Sequence, residues 1–233
     1  MVSAVIFDLD GTVLDNEGVW ESVFREVVEN HNFQFSIFNF QTNKWMHEPG
    51  LGIASNWRNI LVGSPDTGML SIDDLTRETW KAFQERFTNQ DPQFKIREGI
   101  VELVEKIKEL GWMTALCTGS NWVVVEKELE ELEMHLAFDV TTTGEEVMMS
   151  KPDPEIYLLT AQKLGVEPES CLVIEDAIAG VRAATEAGCK VIGLTSDYAP
   201  ESILKNAGAE WVVSDVSQIL PIVNNIVIQN GGE

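Results

Sequence analysis

Residues 2–12 have the sequence VSAVIFDLDGT, in which a mainly apolar run ends at two aspartates. A run of this kind predicts a buried strand, Val2–Phe7. In an extended segment, side chains two residues apart face the same side, so Asp8 and Asp10 can converge on one metal ion or substrate. Gly11 then lets the chain turn away directly after them. A helix cap or an Asx turn, the ordinary use of Asp after a strand, explains the pair equally well at this point.

Short apolar runs alternate with amphipathic segments over the rest of the chain. The predicted strands are Met113–Cys117, Cys171–Ile174, Lys190–Leu194 and Trp211–Val213. The predicted helices are Ile100–Leu110, Val123–Met134, Pro154–Leu164, Ala177–Ala187 and Glu201–Asn206. This alternation predicts an α/β fold whose core is a Rossmann-like, doubly wound parallel sheet. Functional sites in such sheets lie at the carboxyl ends of the strands.

The segment 16–91 interrupts the alternation. It contains four of the seven tryptophans and no convincing buried strand, and Ile72–Phe87 has a helical pattern. We therefore expect an all-helical cap domain, residues 16–91, inserted after the first strand. The core domain would then consist of residues 1–15 and 92–233.

The composition narrows the classes of partner. A formal net charge of −22 repels nucleic acid and anionic membrane surfaces, so neither is expected as a partner. An anionic substrate would need a divalent cation and a few Lys or backbone N–H groups to reverse this field locally. Three scattered cysteines, each in or beside an apolar run, are typical of buried free thiols and indicate a cytoplasmic location.

Two further polar features adjoin the predicted strands and helices. Thr118, Gly119 and Ser120 end one strand and begin a helix, where a hydroxyl group and backbone N–H groups can hold a phosphate oxygen. Lys151 precedes another helix, and its ammonium group can neutralise a phosphate there. Taken singly, the first is more simply a helix cap and the second a solvated surface residue.

Glu175 and Asp176 directly follow the buried run 171–174. Paired carboxylates at the end of a strand suit a hard cation such as Mg²⁺, although capping of the next helix is again the plain alternative. All four features fall at the same edge of one sheet, which capping does not explain. Together they supply what phosphoryl transfer requires: a nucleophile, an acid and base, a cation and charged clamps.

These residues resemble the haloacid dehalogenase (HAD) superfamily over essentially the whole chain. Its four motifs are similar to residues 7–12, Thr118, Lys151 and Glu175-Asp176. The strings KPDPEIY at 151–157 and VIED at 173–176 are highly specific. They indicate the subgroup with a helical cap after the first strand, which includes phosphoglycolate phosphatase-like enzymes and β-phosphoglucomutase.

The resemblance implies a Mg²⁺-dependent phosphatase of small organic, sugar-type phosphate monoesters. Asp8 would attack phosphorus and form an aspartyl-phosphate. Asp10 would protonate the leaving alcohol and then activate the water that hydrolyses the intermediate. Thr118 and Lys151 would hold the phosphoryl oxygens. Asp8, Asp176 and the backbone carbonyl group of Asp10 would bind the metal ion, and Glu175 would support these ligands.

Two alternatives stay open. The β-phosphoglucomutases carry a His early in the cap and a cap Arg that binds a second phosphate, whereas this chain has Trp20 and Ile53 at the matching places. The resemblance therefore favours a phosphatase over a hexose-phosphate mutase, although Arg58 or Lys81 could replace the missing Arg. A non-catalytic regulatory or binding protein on the same scaffold is the third hypothesis.

The cap is expected to select the substrate by closing over the core. In its loop 47–53, His47 and Glu48 are the candidates for contact with the leaving group, together with Arg58 and the nearby Trp45 and Trp57. For each Trp, packing within the cap is the more ordinary explanation. The expected partner is a small-molecule phosphate ester, and the expected state is a monomer or weak dimer.

Overall fold

A six-stranded parallel sheet forms the centre of the protein in the computed structural model, which describes residues 1–31, 47–61, 70–88 and 95–230. The strands are β1 (Ala4–Phe7), β2 (Met113–Cys117), β3 (Val140–Thr142), β4 (Cys171–Glu175), β5 (Lys190–Leu194) and β6 (Trp211–Val213). Their order across the sheet is β3-β2-β1-β4-β5-β6, and all neighbours are parallel. The predicted α/β, doubly wound fold is confirmed.

Helices cover both faces of the sheet because its strands are apolar on both sides. In β1, Val5 and Phe7 pack into one apolar cluster, and Ala4 and Ile6 pack into another. The first cluster includes side chains of α4 (Ile100–Glu109), α5 (Trp122–Glu131) and α9 (Ile219–Asn230). The second includes side chains of α6 (Glu155–Leu164), α7 (Ile178–Glu186) and α8 (Glu201–Ala207). The first strand is therefore buried on both faces, with Asp8 directly at its end.

The structure corrects several predicted limits. The first strand begins at Ala4 rather than Val2, and Glu175 is the last residue of β4 instead of following it. The helix α5 ends three residues before the predicted Met134, because Glu133 has a left-handed backbone (φ 58°) that a helix does not continue.

Outside the segment 16–91, two elements were not predicted, the strand β3 and the helix α9. The strand is short and lies at the edge of the sheet, with two threonines among its three residues. The helix has a proline in its first turn and several asparagines, which lower helix propensity. Its buried Ile219, Val223 and Ile226 nevertheless have helical spacing, and this signal was available in the sequence.

Three helices lie between β1 and α4 along the chain: α1 (Glu17–Asn30), α2 (Ile53–Leu61) and α3 (Ile72–Thr88). They form an apolar cluster of their own, joined by Val124 of α5. Trp57 is fully buried there, and its Nε1 donates a hydrogen bond to Thr79 Oγ1 at 2.8 Å. It therefore packs within the group of helices α1 to α3, which is called the cap below. Trp45 lies outside the described residues, and the predicted limits of the two domains stay predictions.

The chain enters and leaves this helical segment side by side. The N–H group of Asp15 donates to the Lys95 carbonyl at 2.9 Å, and that of Arg97 donates to the Val13 carbonyl at 2.8 Å. Because residues 13–15 follow β1 so closely, the pairing attaches the helices beside the carboxyl edge of the sheet. Within the described ranges, no helix is both long and apolar enough to cross a membrane.

We expect Gly180→Ala to lower the free energy of unfolding by about 1–3 kcal/mol, measured by urea denaturation. A Cβ at this position of α7 would lie 1.5 Å from Oε1 of Glu175, which is fully buried. Alanine in place of glycine inside a helix is otherwise worth roughly 1 kcal/mol of added stability. A stabilised variant would therefore contradict this close packing.

Candidate active site

Three buried carboxylates meet at the carboxyl edge of the sheet. Asp8 follows β1, Glu175 ends β4, and Asp176 comes next in the chain. One oxygen from each lies within 4.8 Å of the others, and the three residues are at most 5% exposed. The backbone N–H of Asp8 donates to the Ile174 carbonyl at 3.1 Å, which continues the pairing of β1 with β4 past the end of the strand. The pairing of adjacent parallel strands thus brings the three carboxylates together.

The ammonium group of Lys151 lies inside this cluster. Its Nζ is 2.5 Å from Asp8 Oδ1 and 2.8 Å from Glu175 Oε1, and the side chain is 2% exposed. Burial alone would lower the pKa of Lys151, but the Asp8 and Glu175 carboxylates outweigh it and hold that pKa well above its usual range. Lys151 is therefore a buried, charged group. The simpler explanation from the sequence, a solvated surface residue, is wrong.

Glu175 accepts hydrogen bonds from three groups. Besides Lys151, Tyr157 Oη donates to Oε1 at 3.1 Å, and the backbone N–H of Ala177 donates to Oε2 at 2.8 Å. These contacts orient Glu175 towards Lys151, and its predicted support of a metal shell stays a prediction. Tyr157 was not singled out in the sequence.

Asp176 is held by two hydroxyl groups. Thr12 Oγ1 donates to Oδ1 at 3.0 Å, and Tyr198 Oη donates to Oδ2. Gly11 makes the close approach possible, since it has a φ of +81° and a Cβ there would lie 2.1 Å from Asp176 Oδ2. The glycine is thus needed both for its turn and for the space it leaves. Neither hydroxyl partner was predicted.

Asp10 lies beside the cluster, and its carboxylate has partners on both oxygens. Asn16 Nδ2 and Trp20 Nε1 donate to Oδ1 at 2.7 Å and 2.9 Å. Ser120 Oγ and Thr118 Oγ1 donate to Oδ2 at 3.1 Å and 3.5 Å. Asp10 therefore connects the edge of the sheet with the first cap helix. Its predicted carbonyl contact with a metal ion stays a prediction.

The turn at Thr118, Gly119 and Ser120 is fixed from both sides. The N–H of Thr118 donates to the Thr142 carbonyl at 3.0 Å, and the N–H of Gly144 donates to the Ser120 carbonyl at 3.0 Å. Gly119 and Ser120 line a pocket together with Asp8, Asp10 and Lys151. The structure thus brings all the predicted core residues to one place.

The residues of the cluster fit a divalent cation. Three carboxylates and one ammonium group leave two uncompensated negative charges in a buried site. Burial, partly offset by Lys151, raises the pKa of Asp8 well above its usual range. Burial and nearby carboxylates do the same for Asp176. A cation of charge +2 would cancel the excess, and carboxylate oxygens are the donors that Mg²⁺ prefers.

The cap forms the other wall of the pocket. Its lining residues there include Glu17, Trp20, Phe24, His47, Asn56, Trp80 and the loop residues 49–53. Asn56 holds the loop, because its side chain bonds the N–H and carbonyl groups of Glu48 and the carbonyl group of Leu51, at 2.6 to 3.1 Å. His47 therefore lines the same pocket as Asp8, Asp10 and Lys151 at the carboxyl edge of the sheet.

His47 is buried between two glutamates. Its Nε2 lies 2.7 Å from Glu17 Oε2, its Nδ1 lies 3.3 Å from Glu21 Oε2, and its ring stacks on Phe24 with a centroid distance of 5.6 Å. Burial alone would lower the pKa of His47, but the two glutamates outweigh it and raise that pKa to about 9. Burial raises the pKa of Glu17, and His47 partly offsets this rise.

The other cap candidates lie elsewhere. Glu48 and Arg58 are exposed, and neither is among the described residues that line the pocket. Arg58 contacts Ser55 Oγ at 3.5 Å, and the exposed Lys81 pairs with Glu85 at 3.7 Å. Substrate contacts of Glu48 and Arg58 therefore stay predictions. Glu17 and Asn56, which do line the pocket, were missed because a polar residue in a helix carries no local sign of what it faces.

Comparison with known proteins identifies the class to which this fold and site belong. A family model described as haloacid dehalogenase-like hydrolase matches residues 2–188. The phosphorylated carbohydrates phosphatase of Thermotoga maritima is 28% identical over 235 residues, covering 97% of this chain and 100% of the relative. The fructose-1-phosphate phosphatase YqaB of Escherichia coli is 29% identical over 197 residues, covering 82% of this chain and 95% of the relative.

A solved structure of a CbbY variant from Rhodobacter sphaeroides, in complex with xylulose-1,5-bisphosphate, is also similar. It superposes with a TM-score of 0.76 at 25% identity, covering 92% of this chain and 95% of that chain. The chain belongs to the haloacid dehalogenase-like hydrolases. The predicted family and the predicted hydrolytic enzyme are confirmed.

The raised pKa of His47 predicts a pH-dependent stability. A protonated His47 stabilises the folded protein fully below its unfolded pKa near 6.5, and this contribution is lost as the pH rises through about 9. We expect the free energy of unfolding to fall by roughly 3 kcal/mol over that window. Urea denaturation at both ends of the window measures the fall.

His47→Gln should remove most of this pH dependence, whereas His135→Gln, a change at an exposed residue, should retain it. An equal fall in the wild type and His47→Gln would refute the assignment.

Proposed function

We propose that the protein is a Mg²⁺-dependent phosphatase that hydrolyses small organic, sugar-type phosphate monoesters through an aspartyl-phosphate on Asp8. The observation that carries the proposal is the position of Asp8. Its carboxylate lies 2.5 Å from the ammonium group of Lys151, in a cluster with Glu175 and Asp176, at the base of a pocket shared with the cap. A nucleophile, a charged clamp and a cation site therefore adjoin one another.

In the first step, an oxygen of Asp8 attacks phosphorus, and the bond from phosphorus to the leaving oxygen breaks. Asp10 gives a proton to the leaving oxygen. When its Oδ2 carries that proton, the hydroxyl group of Thr118 or Ser120 rotates to accept a hydrogen bond from it instead of donating one. Lys151 and the turn at Gly119 and Ser120 hold the phosphoryl oxygens. When bound by Asp8 and Asp176, Mg²⁺ supplies positive charge against the developing negative charge.

In the second step, the aspartyl-phosphate is hydrolysed. Asp10, now a carboxylate, takes a proton from the attacking water, whose oxygen forms the new bond to phosphorus. The bond between Asp8 and phosphorus breaks, which releases inorganic phosphate and restores the Asp8 carboxylate. Asp10 is protonated again and returns to its starting state. One residue thus serves both steps from a single position.

The relatives support the substrate class, since two of them are named as phosphatases of phosphorylated carbohydrates and of fructose 1-phosphate. The hexose-phosphate mutase is less favoured. Ile53, which stands where the mutases carry the Arg that binds a second phosphate, lines the pocket, and Arg58, a possible replacement, is exposed. The monomer or weak dimer, the cytoplasmic location and the absence of nucleic-acid and membrane partners stay predictions.

We expect Asp8→Asn to lower the turnover of p-nitrophenyl phosphate in Mg²⁺ buffer at least ~10³-fold, because the amide is a poor nucleophile. Phosphate release measures the loss, and circular dichroism checks that the variant is folded. Asp73→Asn, which changes an exposed carboxylate of the cap, is the matched control and should keep full activity. Wild-type turnover by a folded Asp8→Asn protein would rule the mechanism out.

Trp20→Phe should impair proton transfer by Asp10. The change removes the donor that bonds Asp10 Oδ1 at 2.9 Å and leaves an aromatic ring to stack on Phe83, at a centroid distance of 3.9 Å. We expect kcat to fall about tenfold for an alkyl phosphate, and less for p-nitrophenyl phosphate, whose leaving group needs no proton.

Trp57→Phe is the control for this change, since it removes a tryptophan donor that bonds Thr79 instead. It should affect stability but not the ratio of alkyl to aryl turnover. If Trp20→Phe and Trp57→Phe give the same ratio, Trp20 does not position Asp10.

A further inference from the structure

The charges on the cap side of the pocket are paired with one another. Both ring nitrogens of His47 face carboxylates, Glu17 at 2.7 Å and Glu21 at 3.3 Å. Glu21 in turn contacts Arg25 at 2.6 Å; the Arg25 side chain is 44% exposed, so solvent screens its charge, and Arg25 does not line the pocket. The imidazolium group of His47 is thus compensated by two carboxylates and offers no excess positive charge to a ligand.

The remaining cation of the pocket is also engaged. Among the described residues that line it, Lys151 and His47 are the cationic ones, and Lys151 lies between Asp8 and Glu175. Lys151 belongs to the end of the pocket where phosphorus would react. The opposite end therefore presents a carboxylate, Glu17, beside a compensated imidazolium group.

Aromatic and apolar side chains complete the cap wall. Trp20, Phe24, Trp80 and Ile53 line it, and Trp20 lies edge-on to Trp80 with a centroid distance of 5.6 Å. Such surfaces suit the C–H faces of a polyol, and a carboxylate oxygen accepts hydrogen bonds from hydroxyl groups. A second phosphate or a carboxylate would instead meet Glu17 in a buried site, where repulsion is stronger than in water.

We propose that the Glu17–His47–Glu21 network restricts the substrates to phosphate monoesters with a neutral, polyhydroxylated leaving group and discriminates against a second anionic group. This rests on the proposed phosphatase function and specifies its substrate class. Glu17 is the residue that contacts the leaving group, and Glu21 acts through His47 by compensating its charge.

Two substrate pairs test the proposal on the wild-type enzyme. Glycerol 3-phosphate and 3-phosphoglycerate differ by a carboxylate in place of a hydroxymethyl group, and fructose 1-phosphate and fructose 1,6-bisphosphate differ by one phosphate. We expect kcat/KM, measured by phosphate release, to be at least ~10-fold lower for the charged member of each pair. A charged member that is turned over as efficiently as its neutral partner would overturn the proposal.

Glu21→Gln tests the network itself. It removes a compensating charge from His47 at a residue outside the pocket lining, so the discrimination should shrink severalfold, chiefly through a lower KM for the charged ester. Glu29→Gln makes the same change of charge at an exposed position of α1 and should leave the discrimination unchanged. Equal effects of the two variants would show a general charge effect and overturn the role of the network.

Hydrolysis of p-nitrophenyl phosphate separates the failure of this proposal from that of the proposed function. If the aryl ester is hydrolysed through Asp8 and the charged and neutral esters react equally, the substrate class alone is wrong. If neither the aryl ester nor any of the four esters is hydrolysed, both proposals are wrong. If Glu21→Gln fails to fold, Glu17→Gln tests the network with the same substrate pairs. A Glu17→Gln enzyme that still discriminates against the charged esters as strongly as the wild type would overturn the role of the network.

Discussion

The ammonium group of Lys151 lies between the carboxylates of Asp8 and Glu175, and the edge of the sheet depends on this contact. Without it, three buried carboxylates would face one another uncompensated. Removing one partner of a buried ion pair typically costs about 3–5 kcal/mol, because the remaining charge is left desolvated. The same arrangement keeps two negative charges in excess, a balance that a divalent cation bound by these carboxylates would neutralise.

The cap connects to this centre through polar contacts at the beginning of its first helix. Asn16 and Trp20 donate to Asp10, and Glu17 pairs with His47 in the loop 47–53. Gly50 brings the loop against the core, since a Cβ there would lie 2.6 Å from that of Ala177. The first turn of the cap is thus bonded to Asp10, the residue that we propose as the acid and base, and the same turn carries Glu17 into the pocket.

The fold was largely predictable because its signals are local. Apolar runs identified five of the strands, and amphipathic segments identified the five helices α4 to α8. The edge strand β3 and the helix α9 were missed, since one has few apolar residues and the other has weak helix propensity. In the site, Asp8, Asp10, Lys151 and Asp176 were recognisable because each belongs to a short string of fixed spacing.

The sequence by itself determined the alternation of strands and helices, the strand ends at which the candidate site residues lie, and the family. Tertiary structure decided the surroundings of the polar side chains of the cap: His47 and Glu17 line the pocket, whereas Glu48 and Arg58 are exposed and are not among its described lining residues. The reason is physical. Periodicity and motif spacing act over a few residues, whereas the contact of Trp20 with Asp10 or of His47 with Glu17 depends on how separate helices and loops pack, which no local pattern encodes.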